Sequence, residues 1–172
     1  MRYGFILILV LTIGLLPAPA LATGDEAGAN PAIGSSGLPV PRFVSTRSSF
    51  VNVRHGPGER YPVAWVLKEK GIPVQIVAEY DNWRKIEDWE GTTGWVHQAL
   101  LSGRRSVAVY PGEAVLREKP EGIATPLARL APGVIAAIHE CSADWCNLKL
   151  GKTEGWVQKT ALWGIGPDEI IK

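Results

Sequence analysis

Cys141, Cys146 and His139 are the residues whose types and spacing could support bond-making chemistry. A cysteine activated by a nearby histidine is a nucleophile, so Cys146 with His139 is the one catalytic pair that the sequence offers. The same side chains could also contribute ligands to a zinc ion, but a fourth ligand is missing. The two cysteines could instead be joined to each other.

A second candidate for chemistry is the acidic group Glu87, Asp88 and Glu90. Paired carboxylates can hydrolyse glycosidic bonds. Acidic clusters are also usual in solvated turns, and Glu90-Gly91 has the composition of a turn, so the sequence favours a turn here. No set of nucleophile, base and orienting residue is evident, which predicts that the protein is not an enzyme and uses no cofactor or metal.

The N-terminus has the pattern of a secretory signal peptide. Arg2 precedes an apolar run over residues 3–16, and an Ala-Leu-Ala motif follows. The run is shorter than the roughly 20 residues of a membrane-spanning helix. We therefore expect residues 1–22 to be removed, leaving a mature chain that begins at Thr23 and has no membrane span. The predicted location is the periplasm or the extracellular space.

Export changes the interpretation of the two cysteines. In an oxidising compartment, cysteines that face each other across a strand, a turn and a strand more often form a disulfide than a metal or catalytic site. Cys141 and Cys146 flank such a turn, which places them opposite each other at a separation that suits a bridge. The sequence thus favours a Cys141–Cys146 disulfide over zinc ligation with His139 or a free thiol.

The charge of the chain is nearly balanced. It contains 18 Lys and Arg against 17 Asp and Glu, a formal net charge of +1. Proteins that bind nucleic acid or an anionic membrane need an excess of basic residues on one face. The balance therefore argues against a nucleic-acid partner.

Residues 23–42 have the composition of a linker. They are rich in Gly, Ala, Ser and Pro, with no apolar periodicity and no aromatic side chain. Such a segment cannot bury enough apolar surface to offset its ordering entropy. Residues 38–42 have polyproline character, which favours a stiff spacer over a groove ligand. We expect a flexible tether that ends at Arg42.

The remainder of the chain is a duplication. Five landmarks recur in order at offsets of 61 to 63 residues. The paired positions are Arg54 and Arg117, Gly71 and Gly133, Trp83 and Trp145, Trp95 and Trp156, and Leu101 and Leu162. This pattern predicts copies at 43–105 and 106–165, followed by a C-terminal tail at 166–172.

Short strands separated by turns are predicted within each copy. In the first copy, the predicted strands are 50–54, 63–67, 72–79, 83–88 and 93–97, followed by a helical turn at 99–101. A copy of about 60 residues is too small for a sandwich, which indicates a small closed barrel. The predicted fold class is all-β, with two tandem five-stranded barrels.

These motifs resemble the bacterial SH3-like domain family. The resemblance rests on Asn-Val-Arg at 52–54, Gly-Pro-Gly at 56–58, Trp-Arg-Lys-Ile at 83–86 and Gly-Trp-Val-His at 94–97. The second copy keeps most of them but lacks the Gly-Pro-Gly turn. Members of this family are typically accessory binding modules of exported proteins. The resemblance therefore implies a partner that is a cell-wall peptide or glycan; the alternative is docking on another envelope protein.

Aromatic side chains are the remaining functional signal, and the chain has seven tryptophans. An amphipathic ring near a turn can stack on a sugar or a peptide. The first copy has more of them, so we place the candidate ligand site there, at Tyr61, Trp65, Tyr80, Trp83, Trp89 and Trp95. For the second copy, Ala136 and Ala137 predict a smaller core that depends on the disulfide.

Overall fold

The computed structural model describes residues 32–172, which belong to one compact unit. The predicted signal peptide and the predicted linker as far as residue 31 lie outside the described residues. Within this unit the chain forms a two-stranded sheet and two seven-stranded sheets. No helix among residues 32–172 is long and apolar enough to cross a membrane.

The first copy is an antiparallel sheet preceded by a hairpin. The hairpin strands are β1 (Ala32–Ile33) and β2 (Pro39–Val40), and the sheet strands are β3 (Arg42–Thr46), β4 (Val51–Arg54), β5 (Val63–Leu67), β6 (Pro73–Tyr80), β7 (Trp83–Glu87), β8 (Thr93–His97) and β9 (Leu101–Ser102). Gln98–Leu100 is a 3₁₀ turn. The spatial order is β5-β4-β8-β7-β6-β3-β9. Val51 and Val53 are fully buried and Asn52 between them is exposed, which is the period-two pattern of a half-buried strand.

The second copy repeats this arrangement. Its strands are β10 (Ser106–Val109), β11 (Ala114–Arg117), β12 (Pro126–Leu130), β13 (Ile135–Cys141), β14 (Trp145–Leu150), β15 (Thr153–Gln158) and β16 (Leu162–Trp163), with a 3₁₀ turn at Lys159–Ala161. The order β12-β11-β15-β14-β13-β10-β16 matches that of the first copy strand for strand. The duplication seen in the sequence is therefore a duplication of topology.

Each of the two large sheets has seven strands, whereas the sequence predicts five strands for each copy. In the first copy the additional strands are β3 and β9, which pair with each other through Ser45 and Ser102. Strand β9 has only two residues, and the partners of β3 lie about 30 and 60 residues along the chain, so local alternation does not reveal either strand. The other strands agree with their predicted positions to within one residue at each end.

Residues 32–42 are not a tether. Strands β1 and β2 pair as a hairpin, and β3 begins at Arg42. Ser36 donates hydrogen bonds from its backbone N–H and its hydroxyl to the carboxylate of Glu79, at 2.7 and 2.8 Å. The flexible linker predicted for 23–42 is therefore wrong over this part, because a distant carboxylate fixes a segment whose own composition would leave it mobile.

A separate buried cluster lies inside each sheet. The first consists of Val51, Val53, Ile72, Val74, Ile76, Ile86, Val96 and Leu101. The second consists of Val107, Val109, Ala114, Leu116, Leu130, Ala136, Cys141, Cys146, Leu148, Val157, Leu162 and Ile165. The smaller second core predicted from two alanines is wrong, since Ala137 faces solvent and the half-cystines with Ile165 add buried apolar volume.

The two copies meet through aromatic contacts. Trp163 of the second copy packs edge-to-face on Phe43 and on Trp89 of the first, with ring centroids 5.0 and 6.2 Å apart. The guanidinium of Arg105 lies 5.7 Å from the centre of the Phe43 ring. Ile135 of the second copy packs against the first core. The connection between the copies is therefore a packed junction.

The glycine of the repeated Gly-Trp-Val motif is required by close packing. A Cβ at Gly155 would lie 2.8 Å from the carbonyl oxygen of Arg117 and 2.9 Å from the side chain of Leu116. We expect Gly155→Ala to lower the free energy of unfolding by about 1–3 kcal/mol, because the backbone must move. Urea denaturation measures the change. Gly122→Ala is the control, since a Cβ there meets no atom within 4 Å, and an equal loss in both variants would contradict the packing explanation.

Candidate functional site

The register of three neighbouring strands brings aromatic residues onto one outer surface. Tyr80 on β6 lies opposite Trp83 on β7, which lies opposite His97 on β8. Directly opposed residues of antiparallel strands point to the same side of the sheet. The Trp83 and His97 rings pack edge-to-face with centroids 5.5 Å apart, and Tyr80 is 62% exposed. These three rings thus form a continuous row.

Trp95 extends this row into a face. It lies two residues before His97 on β8 and therefore on the same side of the strand. Its cross-strand neighbours are Lys85 on β7 and Arg54 on β4. We refer to Tyr80, Trp83, Trp95 and His97 as the aromatic face; Arg54 and Lys85 supply positive charge beside it.

The loop that follows Arg54 borders the aromatic face. Arg54 donates from Nη1 to the carbonyl oxygens of Glu59 and Tyr61, at 3.1 and 2.7 Å. A Cβ at Gly56 would lie 2.5–2.6 Å from three atoms of the Tyr61 ring, so the ring packs directly on the glycine backbone. The Gly-Pro-Gly turn thus makes room for Tyr61.

Arg60 connects this loop with the aromatic face. Its guanidinium lies 5.1 Å from the Tyr61 ring centre and donates to the Tyr61 hydroxyl at 3.3 Å. This hydrogen bond raises the pKa of Arg60, and the hydroxyl of Tyr80 contributes electrostatically in the same direction. Arg60 therefore packs on Tyr61 at the border of the aromatic face.

Two of the six predicted site residues lie elsewhere. Trp65 packs against the first core, and a Cβ at Gly94 would lie 2.9 Å from its ring. Trp89 also packs against that core and contacts Trp163 at the junction of the copies. The structure brings together Tyr80, Trp83 and Trp95, with Tyr61 on the bordering loop. Sequence reasoning missed His97 as part of this site, although its spacing of two from Trp95 would have placed both on one face.

A buried ion pair supports the turn between Tyr80 and Trp83. Glu79 and Arg84 lie directly opposite each other on β6 and β7, and Arg84 Nε is 3.2 Å from Glu79 Oε1. Arg84 also donates to the carbonyl oxygens of Asp81 and Trp83, at 2.7 and 3.0 Å. The turn that presents the two rings is therefore held from inside by one guanidinium.

Glu79 is held ionised by its surroundings. Burial would raise the pKa of its carboxyl, but hydrogen bonds from Ser36 and Arg42 and the charge of Arg84 outweigh burial and lower the pKa to about 2. Arg42 donates from Nη2 at 2.7 Å. One carboxylate thus ties the N-terminal hairpin, β3 and the turn of the aromatic face together.

The second copy has a disulfide where the first has this ion pair. Cys141 and Cys146 lie directly opposite each other on β13 and β14 and are joined by a disulfide, which confirms the pairing predicted from the sequence. Cys141 also exchanges two backbone hydrogen bonds with Ile171, which fixes the C-terminal tail. Because both sulfurs are bonded to each other, Cys146 has no thiol to serve as a nucleophile beside His139 or as a zinc ligand.

The acidic group predicted as a turn has that role. The carboxylate of Asp88 accepts hydrogen bonds from the backbone N–H groups of Glu90 and Thr92, at 3.0 and 2.8 Å. Such side-chain caps are typical of aspartate in turns. Asp88 therefore stabilises the turn of the β7–β8 hairpin.

The second copy keeps the scaffold of the aromatic face but not all of its rings. Arg117 donates to the carbonyl oxygen of Ala124 at 2.8 Å, as Arg54 does to that of Tyr61. Trp145 lies opposite Gln158, and Trp156 lies between Asn147 and Arg117. In the second copy, Tyr61, His97 and Lys85 of the first are thus replaced by Ala124, Gln158 and Asn147.

Two cavities are lined by residues of the second copy. One of about 650 Å³ lies beside Trp145 and is lined also by Gln158 and the buried Lys159. The Lys159 ammonium donates to the carbonyl oxygens of Pro167 and Glu169, at 3.2 and 2.6 Å, so its charge secures the C-terminal tail. A second cavity lies where the first copy joins the second, beside Arg47 and Ser106. The aromatic face itself is an open surface.

Comparison with known proteins identifies a family for the sequence and finds distant similarity to solved structures. None of the curated proteins matches the sequence. Two solved structures, NlpC2 and NlpC1 from Trichomonas vaginalis, match 72% and 77% of this chain at 12% identity, with TM-scores of 0.33 and 0.34. The chain spans 48% of each of those proteins.

The family model described as bacterial SH3 domain matches residues 47–103 and again 111–164. Each range begins just after the first strand of one seven-stranded sheet, β3 or β10, and covers the other six strands of that sheet with one copy of the Gly-Trp-Val motif. The chain therefore belongs to the bacterial SH3 domain family and contains two tandem copies of the domain.

Proposed function

We propose that the protein is an exported, non-catalytic binding module of the cell envelope, and that its first copy holds a cell-wall peptide or peptidoglycan fragment on the aromatic face. The observation that carries this proposal is the row of Tyr80, Trp83 and His97 across three adjacent strands, continued by Trp95. Rings presented on a rigid sheet can stack on sugars or on peptide side chains with little loss of conformational entropy.

The charges beside the face suit the same class of ligand. Arg54, Lys85 and Arg60 lie around the rings, and cell-wall peptides carry carboxylate groups that such cations can bind. The bound ligand would thus have an apolar or glycan portion against the rings and a carboxylate beside Arg54 or Lys85. The second copy, with Ala124, Gln158 and Asn147 at the corresponding positions, has the supporting role in this proposal.

Two further observations support a binding role without catalysis and outside the cytoplasm. The cysteine that could have been a nucleophile is in a disulfide, and disulfides persist mainly in oxidising compartments. The signal-peptide pattern of residues 1–22 agrees with such a compartment. Export to the periplasm or beyond remains part of the proposal.

Tyr80→Ala should weaken binding without unfolding the protein. The ring is 62% exposed, so its removal costs little stability, but truncating a central contact ring lowers affinity by about tenfold. Co-sedimentation of the mature protein with purified sacculi measures the effect. Phe50→Ala is the matched control, because Phe50 is 72% exposed and lies outside the face. Equal retention of the wild type and Tyr80→Ala would contradict the site.

In-cell crosslinking with mass spectrometry distinguishes the ligand class. A wall ligand predicts saturable sacculus binding and no single dominant protein adduct. Capture of one envelope protein, with no sacculus binding, would replace the proposed ligand by a protein partner.

A further inference from the structure

A basic cleft lies between the two copies, apart from the aromatic face. It has a volume of about 430 Å³. Arg47, Lys70, Arg104 and Arg105 line it from the first copy, and Ser106 and Ala137 line it from the second. None of its lining residues is acidic. Four cations therefore surround one cavity in a chain whose total charge is close to zero.

Three of these four cations have no acidic partner. Arg105 is paired with Glu169 of the C-terminal tail. Among residues 32–172, no carboxylate lies within ion-pair distance of Arg47, Lys70 or Arg104. Arg47 is held in place by a hydrogen bond from its Nε to the carbonyl oxygen of Leu101, at 3.2 Å. Unneutralised charges around a concave surface concentrate the field inside it.

Two buried polar atoms at the cleft have no hydrogen-bond partner. The Ser106 hydroxyl belongs to a residue that is only 6% exposed, and neither it nor Nε of Arg105 has a partner. Buried polar groups in native proteins are nearly always hydrogen-bonded, so each exception needs an explanation. Ser106 lines the cleft, so an acceptor oxygen bound there would give its hydroxyl a partner.

We propose that this cleft binds a phosphoryl group. A phosphate carries up to two negative charges and three strong acceptor oxygens, which match the three cations without a carboxylate partner and the unpartnered Ser106 hydroxyl. Arginine is well suited to this role because its planar fork of N–H groups fits phosphate oxygens. The cations belong to the first copy and Ser106 to the second, so the complete site needs both copies. It is independent of the function proposed for the aromatic face.

Titration with inorganic phosphate at constant ionic strength tests the site. We expect saturable amide shifts at Arg104 and Ser106 in NMR spectra. Replacing all three free cations, in Arg47→Gln/Lys70→Gln/Arg104→Gln, should abolish them. The matched control Lys119→Gln/Lys149→Gln/Lys152→Gln removes the same charge from exposed positions of the second copy and should bind like the wild type.

Ser106→Ala separates binding from folding. Removing an unpartnered buried hydroxyl should leave the melting temperature unchanged or raise it, because the hydroxyl is desolvated without compensation. Loss of one hydrogen bond to a charged ligand should weaken phosphate binding by about tenfold. Unchanged affinity in Ser106→Ala, or equal loss in the lysine control, would overturn the proposal.

Other anions identify the source of the phosphoryl group. Tighter binding of glycerol 3-phosphate or inorganic phosphate than of a glycerol phosphodiester supports a free or terminal phosphate. The reverse order supports a phosphodiester within a larger molecule. Acetate binding as tightly as phosphate would overturn the assignment of the cleft to a phosphoryl group.

Discussion

Glu79→Gln should lower the free energy of unfolding by about 3 kcal/mol, because it leaves the buried guanidinium of Arg84 without its counter-charge. The Glu79 side chain is 1% exposed and that of Arg84 is 6% exposed, so solvent cannot replace the lost charge. Glutamine keeps the volume and some of the hydrogen bonds to Ser36, which holds the loss at the lower end of the range for broken buried pairs. Urea denaturation followed by tryptophan fluorescence measures the loss.

Glu87→Gln is the matched control for this substitution. Glu87 lies on the same hairpin, half-exposed, and forms no ion pair among the described residues. Its replacement should change stability by less than about 0.5 kcal/mol. Equal losses in the two variants would contradict the role assigned to the buried pair.

The contribution of Glu79 to the free energy of unfolding should depend on pH. Its pKa is lowered from 4.5 to about 2 in the folded protein, so its ionised form contributes stability above pH 4.5. That contribution is lost as the pH falls from about 4.5 to about 2. The difference in stability between the wild type and Glu79→Gln should therefore narrow over this range, whereas a constant difference from pH 7 to pH 2 would show that the carboxylate is not held ionised.

Replacing both Cys141 and Cys146 by Ser should lower the stability of the second copy by about 2 kcal/mol or more, because the disulfide closes a short loop and the serines bury two hydroxyls. The tail should also exchange its amide hydrogens faster, since Ile171 pairs with Cys141. Hydrogen exchange of the β13 and β14 amides measures the first effect, and exchange of the Ile171 amide measures the second. The wild type under reducing conditions should behave in the same way.

Binding by the first copy should survive this double substitution. The aromatic face is built on β6, β7 and β8, none of which contains a cysteine. If ligand affinity collapses while the first copy is still folded, the site lies in the second copy or between the two.

Much of the fold follows from local sequence patterns. Alternation and turn residues define β5 at 63–67 and β8 at 93–97 to the residue, and the repeated Gly-Trp-Val motif defines the duplication. The disulfide follows from spacing and compartment. These features depend on neighbours close in sequence, which is why the sequence alone predicts them.

The features that the sequence did not predict depend on distant partners. The hairpin of residues 32–40 has the composition of a linker and is ordered by Glu79, more than 40 residues away from Ser35 and Ser36 along the chain. Trp65 and Trp89 have the same local context as the rings of the aromatic face, but register and packing turn them toward the core and the junction. Composition cannot distinguish these environments.

The net charge of the chain likewise does not predict where charges cluster on the folded surface. The near-zero total argues against a nucleic-acid or anionic-membrane partner, yet four cations from residues 47 to 105 line one cleft. Their convergence depends on tertiary packing between distant segments, which no local pattern encodes. The same packing buries Ser106 beside them.

Binding of sacculi by Trp83→Ala and by Trp145→Ala is the most direct test of the central claim that the first copy carries the ligand site. The two tryptophans occupy corresponding positions, both half-buried at the start of the equivalent strand, so both substitutions perturb folding similarly. We expect Trp83→Ala to reduce affinity by at least about tenfold and Trp145→Ala to leave it within about twofold of the wild type. Loss of binding in Trp145→Ala with retention in Trp83→Ala would contradict the claim and place the site in the second copy.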